Sequence, residues 1–598
     1  MKTRDWLSLI AIAVIGLALG LTGIGWGLPS ARRVALLGES MTKARVELAA
    51  RTSRELELRR GHAAILATQP AEEQFDLPRL VRRYLLFSDS PDEPLTLMAL
   101  ANMRPRQLDF NPRMVEYGGL HVYGTGAVMT LAHALGFGRI VGDVTHYADH
   151  PEHIAGLYIA GRLLMVLYNV GIALLLFMFG CAVAAVSDRR YRLDILCGWA
   201  AALMWLLSPP SLAFSHVINP HLPAAFYGTL AAWLAWRAAA WNDRWIATSG
   251  RDSSAVQLPS CPEVAIHLRV WLGAAAASGA AASCALNAAV SFLVLPAVAF
   301  FVAHAVESRL KPELQQSGGW SSGFSLFSKL CAAVARPLGL ALLMAAAFYL
   351  ALNPYCWANL DVLREELARF RQFRSPMLGA ENIFMFCGGP LPHAIGLAGL
   401  GAALFGAATL WQVSAVGRAL VSYAAAGLLL SAWLAGSDAG EALSVRFAMF
   451  VLPLLCVLVA AALIGPWPRW ARVGAAALIA LGWAGATAVY LASFTRSPRD
   501  DAGEFINREL PANCALAAPK SPGPYEMPAF DFSRVRLVSD PEASHGFAVR
   551  MEDRRKPATP AGFEFMAGVP DARVQPPTPL SFSGRFARIY RKQIKDGK

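Results

Sequence analysis

The stretch AGLYIAGRLLMVLYNVGIALLLFMFGCAVAAV occupies residues 155–186 and holds one charged side chain, Arg162. A helix needs about 20 mainly apolar residues to cross a bilayer. The run therefore predicts a transmembrane helix, and similar runs recur on both sides of it along most of the chain.

The composition agrees with a membrane protein. Of the 598 residues, 55% are hydrophobic and 16% are charged, and the mean hydropathy is +0.40. Soluble domains carry about 25% charged residues, so this composition excludes an intrinsically disordered chain and argues against a string of soluble domains. The net charge of +12 comes from basic residues between the apolar runs, which is typical of topology signals rather than of a nucleic-acid surface. Nine Cys without a CxxC pair argue against a disulfide scaffold and against a structural zinc site.

The apolar runs predict an all-α, polytopic fold with about eleven spans. The runs lie at 6–28, 117–136, 155–186, 193–214, 222–241, 270–306, 334–352, 392–411, 419–436, 447–465 and 472–493. The run at 270–306 is too long for one span, and Asn287 and Ser291 near its middle suggest two short helices with a tight turn. The run at 6–28 is longer than the apolar part of a signal peptide, so we expect a retained helix.

The distribution of Lys and Arg predicts the orientation. Arg189, Arg190 and Arg192 crowd one short loop, whereas SHVINPH at 215–221 has no Lys or Arg. The positive-inside rule then puts the N-terminus in the cytoplasm and the C-terminal tail outside. This alternation requires the Gly-rich run at 117–136 to lie on the outer face as an interfacial helix instead of crossing.

Four parts follow from these runs. They are a first transmembrane helix (1–28), a large outer loop with interfacial helices (29–154), a multi-helix core that includes the outer loop 353–391 (155–493), and an outer tail (494–598). In the tail, RDDAGEFINRELPANCALA (499–517) predicts an amphipathic helix, a turn and a strand, so we expect a small α+β appendage.

The segment LLFSDSPDEPLTLMALANMRPRQLDFNP (85–112) carries the main candidate for chemistry, the pair Asp92 and Glu93. One interpretation is structural: Asp92 caps a helix whose first turn holds Pro94. The other is catalytic: a carboxylate at the membrane surface acts as a general base or binds a cation. The two are compatible, since a cap would fix the direction of the carboxylate.

Several segments, taken in order, resemble the membrane-embedded GT-C glycosyltransferases of the dolichyl-phosphate-mannose-protein mannosyltransferase type and their bacterial relatives. After the first span come the Asp-Glu pair, then DFNP (109–112), YGGLHVYG (117–124) and a Gly-Arg-Leu-Leu that opens a helix (Gly161 to Leu164). LNPYCWANLDVLREELARF (352–370), VRFAMFVLPLLCVLVAAAL (445–463) and SPRDDAGEFINRELPANCALA (497–517) are similar to later pieces of the family. Phe447 replaces the family's usual Tyr, the charged 36–80 insertion is unusual, and SHVINPHLP lacks an Asp often found in that loop.

The resemblance implies a GT-C-like fold and a polyprenyl-phosphate sugar as donor, with transfer at the outer face. It makes Asp92 the base and Glu93 its neighbour, which orients it or binds a cation. Arg446 matches the family's Arg-Tyr position, and we expect it, with Arg162, to hold the donor phosphate, because a guanidinium matches phosphate oxygens. Snorkelling to lipid headgroups is the alternative for both arginines.

Further residues are candidates for a substrate groove. They are Tyr117, His121, Tyr123, His216, Asn219 and His221. Each also has a bland interpretation, as interface aromatics or as capping and packing groups. His216 and His221 are five apart with Pro220 between them, which does not offer helical metal-ligand spacing, so no metal ligands are predicted. Cys356 and Cys387 share an outer loop, and whether they pair stays open.

We therefore expect a bacterial inner-membrane, periplasm-facing glycosyltransferase of the cell envelope. Its partners would be membrane lipids, a polyprenyl-phosphate sugar and an acceptor glycan, lipid or protein, without nucleic acid. No nucleotide-binding motif is present, and a divalent cation as cofactor is left open. The alternatives are a non-catalytic relative, a lipid-linked sugar polymerase or ligase, and a transporter. A transporter would favour ionisable residues at span centres, and the span centres here are nearly free of them.

Overall fold

The computed structural model describes residues 3–60, 76–114, 117–187, 191–249, 261–296, 335, 338–373, 380–436, 442–465, 468–494, 498–517, 523–538, 546–552, 563–569 and 586–592. The chain is mostly helical. The helices are α1 (Thr3–Leu21), α2 (Ala31–Leu36), α3 (Gly38–Arg60), α4 (Leu77–Leu86), α5 (Asp92–Asn102), α6 (Gly119–Ala134), α7 (His146–Asp149), α8 (Pro151–Ser187), α9 (Tyr191–Leu206), α10 (Pro209–Ser215), α11 (His221–Ser249), α12 (Cys261–Cys284), α13 (Leu338–Leu352), α14 (Pro354–Ala358), α15 (Leu360–Phe373), α16 (Ala380–Gly388), α17 (Pro390–Val413), α18 (Ala415–Ala435), α19 (Leu452–Ala462), α20 (Arg469–Ser493) and α21 (Pro498–Glu509). Short 3-10 helices lie at Pro105–Gln107, Leu286–Leu293 and Ala442–Ala448.

The chain is a multi-pass membrane protein. Within the described ranges, four helices have the length and apolarity to cross a bilayer: most of α1, and α8, α17 and α18. The pair α9 and α10, bent by 56°, makes a fifth if the two form one broken span. The predicted count of about eleven is not confirmed, although the runs at 222–241 and 472–493 do form the helices α11 and α20.

Helix α8 organises the core. It has 37 residues, hence a length of about 55 Å against a hydrocarbon thickness of about 30 Å, so it extends beyond the hydrocarbon. It packs closely on α9 because glycines face the contact. A Cβ on Gly180 would lie 2.6 Å from the Cys197 carbonyl oxygen, and one on Gly198 would lie 2.7 Å from that of Phe177. Larger residues would push the two helices apart.

The run at 270–306 and the segment 161–164 differ from the prediction in detail, whereas α6 is short, as a helix that does not cross the bilayer can be. Helix α12 ends at Cys284 and Ala285 is extended (φ −148°, ψ 129°), so the run at 270–306 breaks earlier than Asn287, and its part beyond residue 296 lies outside the described residues. Helix α6 has 16 residues, fewer than a span needs. Gly161 to Leu164 lie about three turns inside α8 and do not open it.

The tail carries a helix and a strand where the sequence predicts them, α21 followed by β1. It also carries a five-stranded sheet of order β2-β1-β3-β5-β4. The strands are β1 (Ala515–Ala517), β2 (Arg536–Val538), β3 (Gly546–Glu552), β4 (Phe563–Val569) and β5 (Phe586–Lys592). Strand β1 runs parallel to β2 and β3, while β5 runs antiparallel to β3 and β4.

The tail and the first large loop, treated as separate parts from the sequence, share one hydrophobic core. This core joins side chains of α2, α3 and α4 to side chains of α21, β1 and the segment 523–532, including Leu37, Met41, Val81, Tyr84, Ile506, Leu516, Met527 and Phe530. The Tyr84 hydroxyl donates to the Met527 carbonyl at 3.0 Å. Asp531 accepts from the Ser40 hydroxyl at 2.6 Å. We call this unit the outer domain.

A buried ion cluster links the outer domain to the segment just before Asp92. Arg33 donates to Asp89 at 2.6 Å, and Arg499 of α21 lies 3.7 Å from the same carboxylate. All three side chains are at most 3% exposed. Charges withdrawn from water are stable only when paired, so this cluster fixes the Ser88–Pro91 turn against the outer domain.

Candidate functional site

Asp92 is the first residue of α5, which begins directly after Pro91. The N-cap position belongs to Pro91, and no side chain makes a capping hydrogen bond there. The capping interpretation of Asp92 is therefore wrong. Its carboxylate lies in the first helical turn, where the helix dipole favours a negative charge, and it points to other partners.

Two residues distant in sequence meet the half-buried Asp92 carboxylate. Tyr117 donates a hydrogen bond to it, and Arg446, 354 positions further along the chain, is close enough to stabilise its charge. Burial nevertheless raises the pKa of Asp92 above its ordinary value, since removal from water outweighs Arg446 and Tyr117, and the negative Glu93 adds to the rise. A carboxylate with a raised pKa is a stronger base than an exposed one, which suits general-base work.

The backbone next to Arg446 is held in place, and the described residues make no hydrogen bond or ion pair with its guanidinium. It lies in the 3-10 helix Ala442–Ala448, where the Ser431 hydroxyl donates to the Phe447 carbonyl at 2.9 Å. The guanidinium lies over the Phe447 ring at 5.1 Å, so the Phe that replaces the family's Tyr supports the arginine by a cation–π contact. Among the described residues, no hydrogen bond or ion pair engages the half-buried Arg446 side chain.

Glu93 and Arg162 form a buried clamp with each other. Arg162 donates through Nε and Nη2 to the two carboxylate oxygens of Glu93, each at 2.7 Å, and both side chains are 0% exposed. Arg162 Nη1 donates to the carbonyls of Ile24 at 2.8 Å and Trp26 at 2.6 Å. Glu93 also accepts from the Ser88 hydroxyl and from the Ile218 amide at 2.9 Å.

This clamp corrects two sequence predictions. The donors of Arg162 are taken by Glu93 and by two carbonyls, so Arg162 does not present a fork to a donor phosphate. Both oxygens of Glu93 are engaged, so Glu93 neither orients Asp92 nor binds a cation. The clamp joins α5, which carries Glu93, to four other segments: the turn after α1, the turn before α5, helix α8 and the loop 215–221.

The polar residues of SHVINPH serve packing and capping. Each ring nitrogen of His216 lies 2.7 Å from a carbonyl oxygen, that of Leu212 or that of Thr22. Asn219 accepts from the His221 amide at 2.9 Å and donates to the Val217 carbonyl at 2.6 Å, so it fixes the start of α11. His216 and Asn219 are fully buried and are thereby removed from the predicted groove, while the His221 ring packs edge-on against Phe214.

Helix α6 contributes His121, which packs against Tyr117, the hydrogen-bond donor of Asp92. The His121 ring packs edge-on against Tyr117 with centroids 5.7 Å apart, and its Nε2 lies 3.2 Å from the Thr96 hydroxyl of α5. Burial lowers the pKa of His121 to about 3, so the ring is neutral. His121 therefore supports Tyr117 as a neutral ring and brings no positive charge to the site. Tyr123 lies on the exposed side, where its hydroxyl donates to the Phe110 carbonyl at 3.3 Å.

The second outer loop docks on the first. Asn111 and Asn359 exchange side-chain hydrogen bonds at 3.1 and 2.7 Å, and Asn353 accepts from the Gly119 amide at 2.6 Å. The segments DFNP, YGG and LNPY, which the sequence offered separately, thus meet at one place. Cys356 and Cys387 of the second loop are both free thiols.

Sequence reasoning missed the partners of the clamp and one His cluster. Nothing in the local sequence connects Glu93 to Arg162, because 69 positions separate them. The cluster His146, His150 and His153 was visible as an i, i+4, i+7 spacing. Within the described ranges, Asp92 belongs to no group of three His, Cys or carboxylate side chains that could share a metal ion.

Comparison with known proteins gives distant structural likenesses. No protein-family model matches the chain, and no curated protein matches it in sequence. The apo oligosaccharyltransferase of Archaeoglobus fulgidus is 13% identical with a TM-score of 0.42, over 91% of this chain and 65% of that one. The chain thus spans about two thirds of the length of that protein.

ArnT from Cupriavidus metallidurans is similar at the same level. The apo form is 15% identical with a TM-score of 0.40, over 79% of this chain and 90% of that one. The form bound to undecaprenyl phosphate is 13% identical with a TM-score of 0.39, over 86% and 95%. The oligosaccharyltransferase and ArnT are GT-C glycosyltransferases, the group that the sequence motifs resemble.

Proposed function

We propose that the chain is a membrane glycosyltransferase that moves a sugar from a polyprenyl-phosphate carrier to an acceptor hydroxyl at the membrane surface. One observation carries the proposal: the half-buried Asp92, whose pKa is raised, lies beside Arg446, and no described residue engages the Arg446 guanidinium by a hydrogen bond or ion pair. The chemistry of such a transfer needs these two groups together, a base for the acceptor and a cation for the leaving phosphate.

The contrast with the neighbouring pair supports this assignment. Glu93 and Arg162 are a carboxylate and a guanidinium, like Asp92 and Arg446. However, Glu93 and Arg162 form a completely buried ion pair with each other. Asp92 and Arg446 are half-buried, with Tyr117 as the hydrogen-bond partner of the carboxylate. A structural pair would be expected to close on itself; a reactive pair must leave room for substrate.

The proposed step uses the two side chains in turn. Asp92 accepts the proton of the acceptor hydroxyl while that oxygen forms a bond to the anomeric carbon of the sugar. The bond from this carbon to the phosphate oxygen breaks, and its electron pair stays on the carrier phosphate. Arg446 stabilises the added negative charge with its planar donors. Tyr117 holds the Asp92 carboxylate in position.

The test is the variant Asp92→Asn, which keeps the shape and removes the base. Purified protein in liposomes would be given a panel of polyprenyl-phosphate sugars with a membrane extract as acceptor source, and released polyprenyl phosphate would be measured. We expect transfer to fall by about 10²-fold or more, since a positioned base contributes about 10²–10⁴-fold. We also expect stability to hold or rise, because neutral Asn avoids the burial of a charge.

The control is Asp361→Asn, a 95% exposed Asp in the second outer loop, which should transfer at the parental rate. Release by Asp92→Asn at the parental rate would refute the assignment of Asp92. Failure of the parental protein to consume any donor in the panel would instead favour the alternative of a non-catalytic relative.

A further inference from the structure

A second group of chemically active side chains lies in the connection from α6 to α8. His146, His150, Glu152 and His153 fall within eight residues at the junction of α7 and α8. The three imidazole rings have centroids 5.0 to 5.1 Å apart. His146 Nε2 lies 2.8 Å from His153 Nδ1, and His150 Nδ1 lies 3.1 Å from a Glu152 oxygen.

These distances are close to those inside a zinc site. Ligand atoms about 2.0–2.1 Å from a tetrahedral Zn²⁺ lie roughly 3.3 Å from each other. Ligand atoms of His150, Glu152 and His153 lie within 4.8 Å of one another, and His146 Nε2 lies 2.8 Å from Nδ1 of His153. Three imidazoles and one carboxylate form a donor set typical of Zn²⁺ and similar transition metals, not of Mg²⁺ or Ca²⁺.

The surrounding backbone holds the cluster in place. The Tyr147 hydroxyl is hydrogen-bonded to the Val141 amide at 3.0 Å and to the Arg139 carbonyl at 2.9 Å. Asp149 is bound by Arg45 of α3, so α7 is tied to the outer domain. The half-buried and exposed positions of the four side chains leave an entry path from solvent. Arg139 is positively charged and close enough to His153 to repel a bound metal ion.

We propose that His146, His150, Glu152 and His153 bind one transition-metal ion of the Zn²⁺ class. The ion would tie the start of α8 to α7 and, through Asp149 and Arg45, to the outer domain. This site is separate from Asp92 and Arg446, shares no residue with them, and does not depend on the proposed transfer reaction.

The test uses tag-free, full-length protein in detergent, stripped with a chelator and titrated with Co²⁺ and then Zn²⁺. We expect one equivalent of Co²⁺ with the visible absorption of a tetrahedral nitrogen and oxygen site, displaced by Zn²⁺. We also expect a Zn²⁺-dependent rise in the melting temperature. The double variant His150→Gln/His153→Gln should lose at least 10-fold in Co²⁺ affinity. His393→Gln, an exposed His on α17, is the matched control and should keep full affinity.

Three outcomes would overturn the proposal. Substoichiometric Co²⁺ binding by the parental protein would show only a hydrogen-bonded His cluster. Equal Co²⁺ binding by the double variant would place the metal elsewhere. If the double variant does not fold, protection of His150 and His153 of the parental protein from diethyl pyrocarbonate by Zn²⁺ decides the matter, and absence of protection contradicts the site.

Discussion

Asp92 and Glu93 are neighbours in sequence with opposite surroundings. Glu93 is completely buried, and protein groups donate hydrogen bonds to its carboxylate. Asp92 is partly exposed to solvent and accepts a hydrogen bond from Tyr117. Divergent environments for adjacent carboxylates are how a protein assigns different tasks to like groups. Under the proposed function, Glu93 is the structural carboxylate and Asp92 is the catalytic one.

The hydrogen bond from Tyr117 predicts a pH effect. Asp92 acts as a base only when ionised, so transfer should rise as the pH increases through its raised pKa. The Tyr117 bond lowers that pKa, so Tyr117→Phe should raise it further and move the acid limb of the rate profile to higher pH. The measurement is transfer rate against pH for both proteins. Tyr123→Phe removes a hydroxyl that donates to the Phe110 backbone carbonyl and should leave the limb in place. An unmoved limb in Tyr117→Phe would contradict the role of Asp92.

The raised pKa of Asp92 also makes the stability of the folded state depend on pH. Because folding raises the pKa of Asp92, the charged carboxylate destabilises the folded state at neutral pH. The penalty develops as pH rises from the ordinary value near 3.8 and is complete above the raised folded value. This is why Asp92→Asn should not weaken the fold, a combination of lost activity and retained stability that is expected of a functional residue.

Arg446 gives a prediction on donor affinity. Arg446→Lys keeps the charge but loses the planar fork that matches a phosphate, so we expect apparent KM for the donor to rise about 10-fold with normal membrane insertion, a loss of about 1.4 kcal/mol. The apparent KM is measured from the transfer rate at a series of donor concentrations. Arg418→Lys is the matched control, because Arg418 lies in the first turn of α18, at the end of that helix away from the 3-10 helix that holds Arg446. An unchanged KM would leave Arg446 as a headgroup-binding residue.

The ion pair of Glu93 and Arg162 holds α5, which carries Asp92, against helix α8. Glu93→Gln leaves Arg162 buried without its counter-charge, which costs about 3–5 kcal/mol in comparable pairs. We expect a large drop in unfolding midpoint, measured by denaturant or heat in detergent. Arg32→Gln breaks contacts to Asp501 and Glu504 at 2.8 and 2.7 Å, but these side chains are about half exposed, so it should cost less than about 1 kcal/mol. Equal losses in the two variants would contradict a clamp role.

The elements show where sequence reasoning stops. Apolar runs predicted the helices α8, α17 and α18 because length and hydropathy are local properties. The break before Leu286 and the inner position of Gly161 were misplaced, because helix ends depend on tertiary contacts. Resemblance pointed to both Arg446 and Arg162, and only the folded structure shows that Glu93 takes the donors of Arg162. The role of Arg446 at the donor phosphate stays a prediction.

At the scale of the whole molecule, the outer domain constrains topology. A hydrophobic core cannot be built across a bilayer, so the first large loop and the tail lie on the same side. With α1 as a span, an even number of crossings must then separate the two. The predicted N-terminus inside and tail outside satisfy this parity, since about ten of the eleven predicted spans follow α1. The sequence could not supply this link, because the residues of the shared core are more than 400 positions apart.

Single-cysteine labelling tests this topology. In a background without native Cys, the exposed positions Val46 on α3, Asp361 on α15 and Glu509 on α21 should react with a membrane-impermeant maleimide added from outside. Trp470, 78% exposed at the start of α20, should react only after permeabilisation, because α20 separates it from the tail. Opposite labelling of Val46→Cys and Glu509→Cys would contradict the shared core itself. If Trp470→Cys and Val46→Cys are both labelled from outside, the shared core is not contradicted, but α20 does not cross the bilayer. The number of crossings between the first large loop and the tail would then no longer match the predicted orientation.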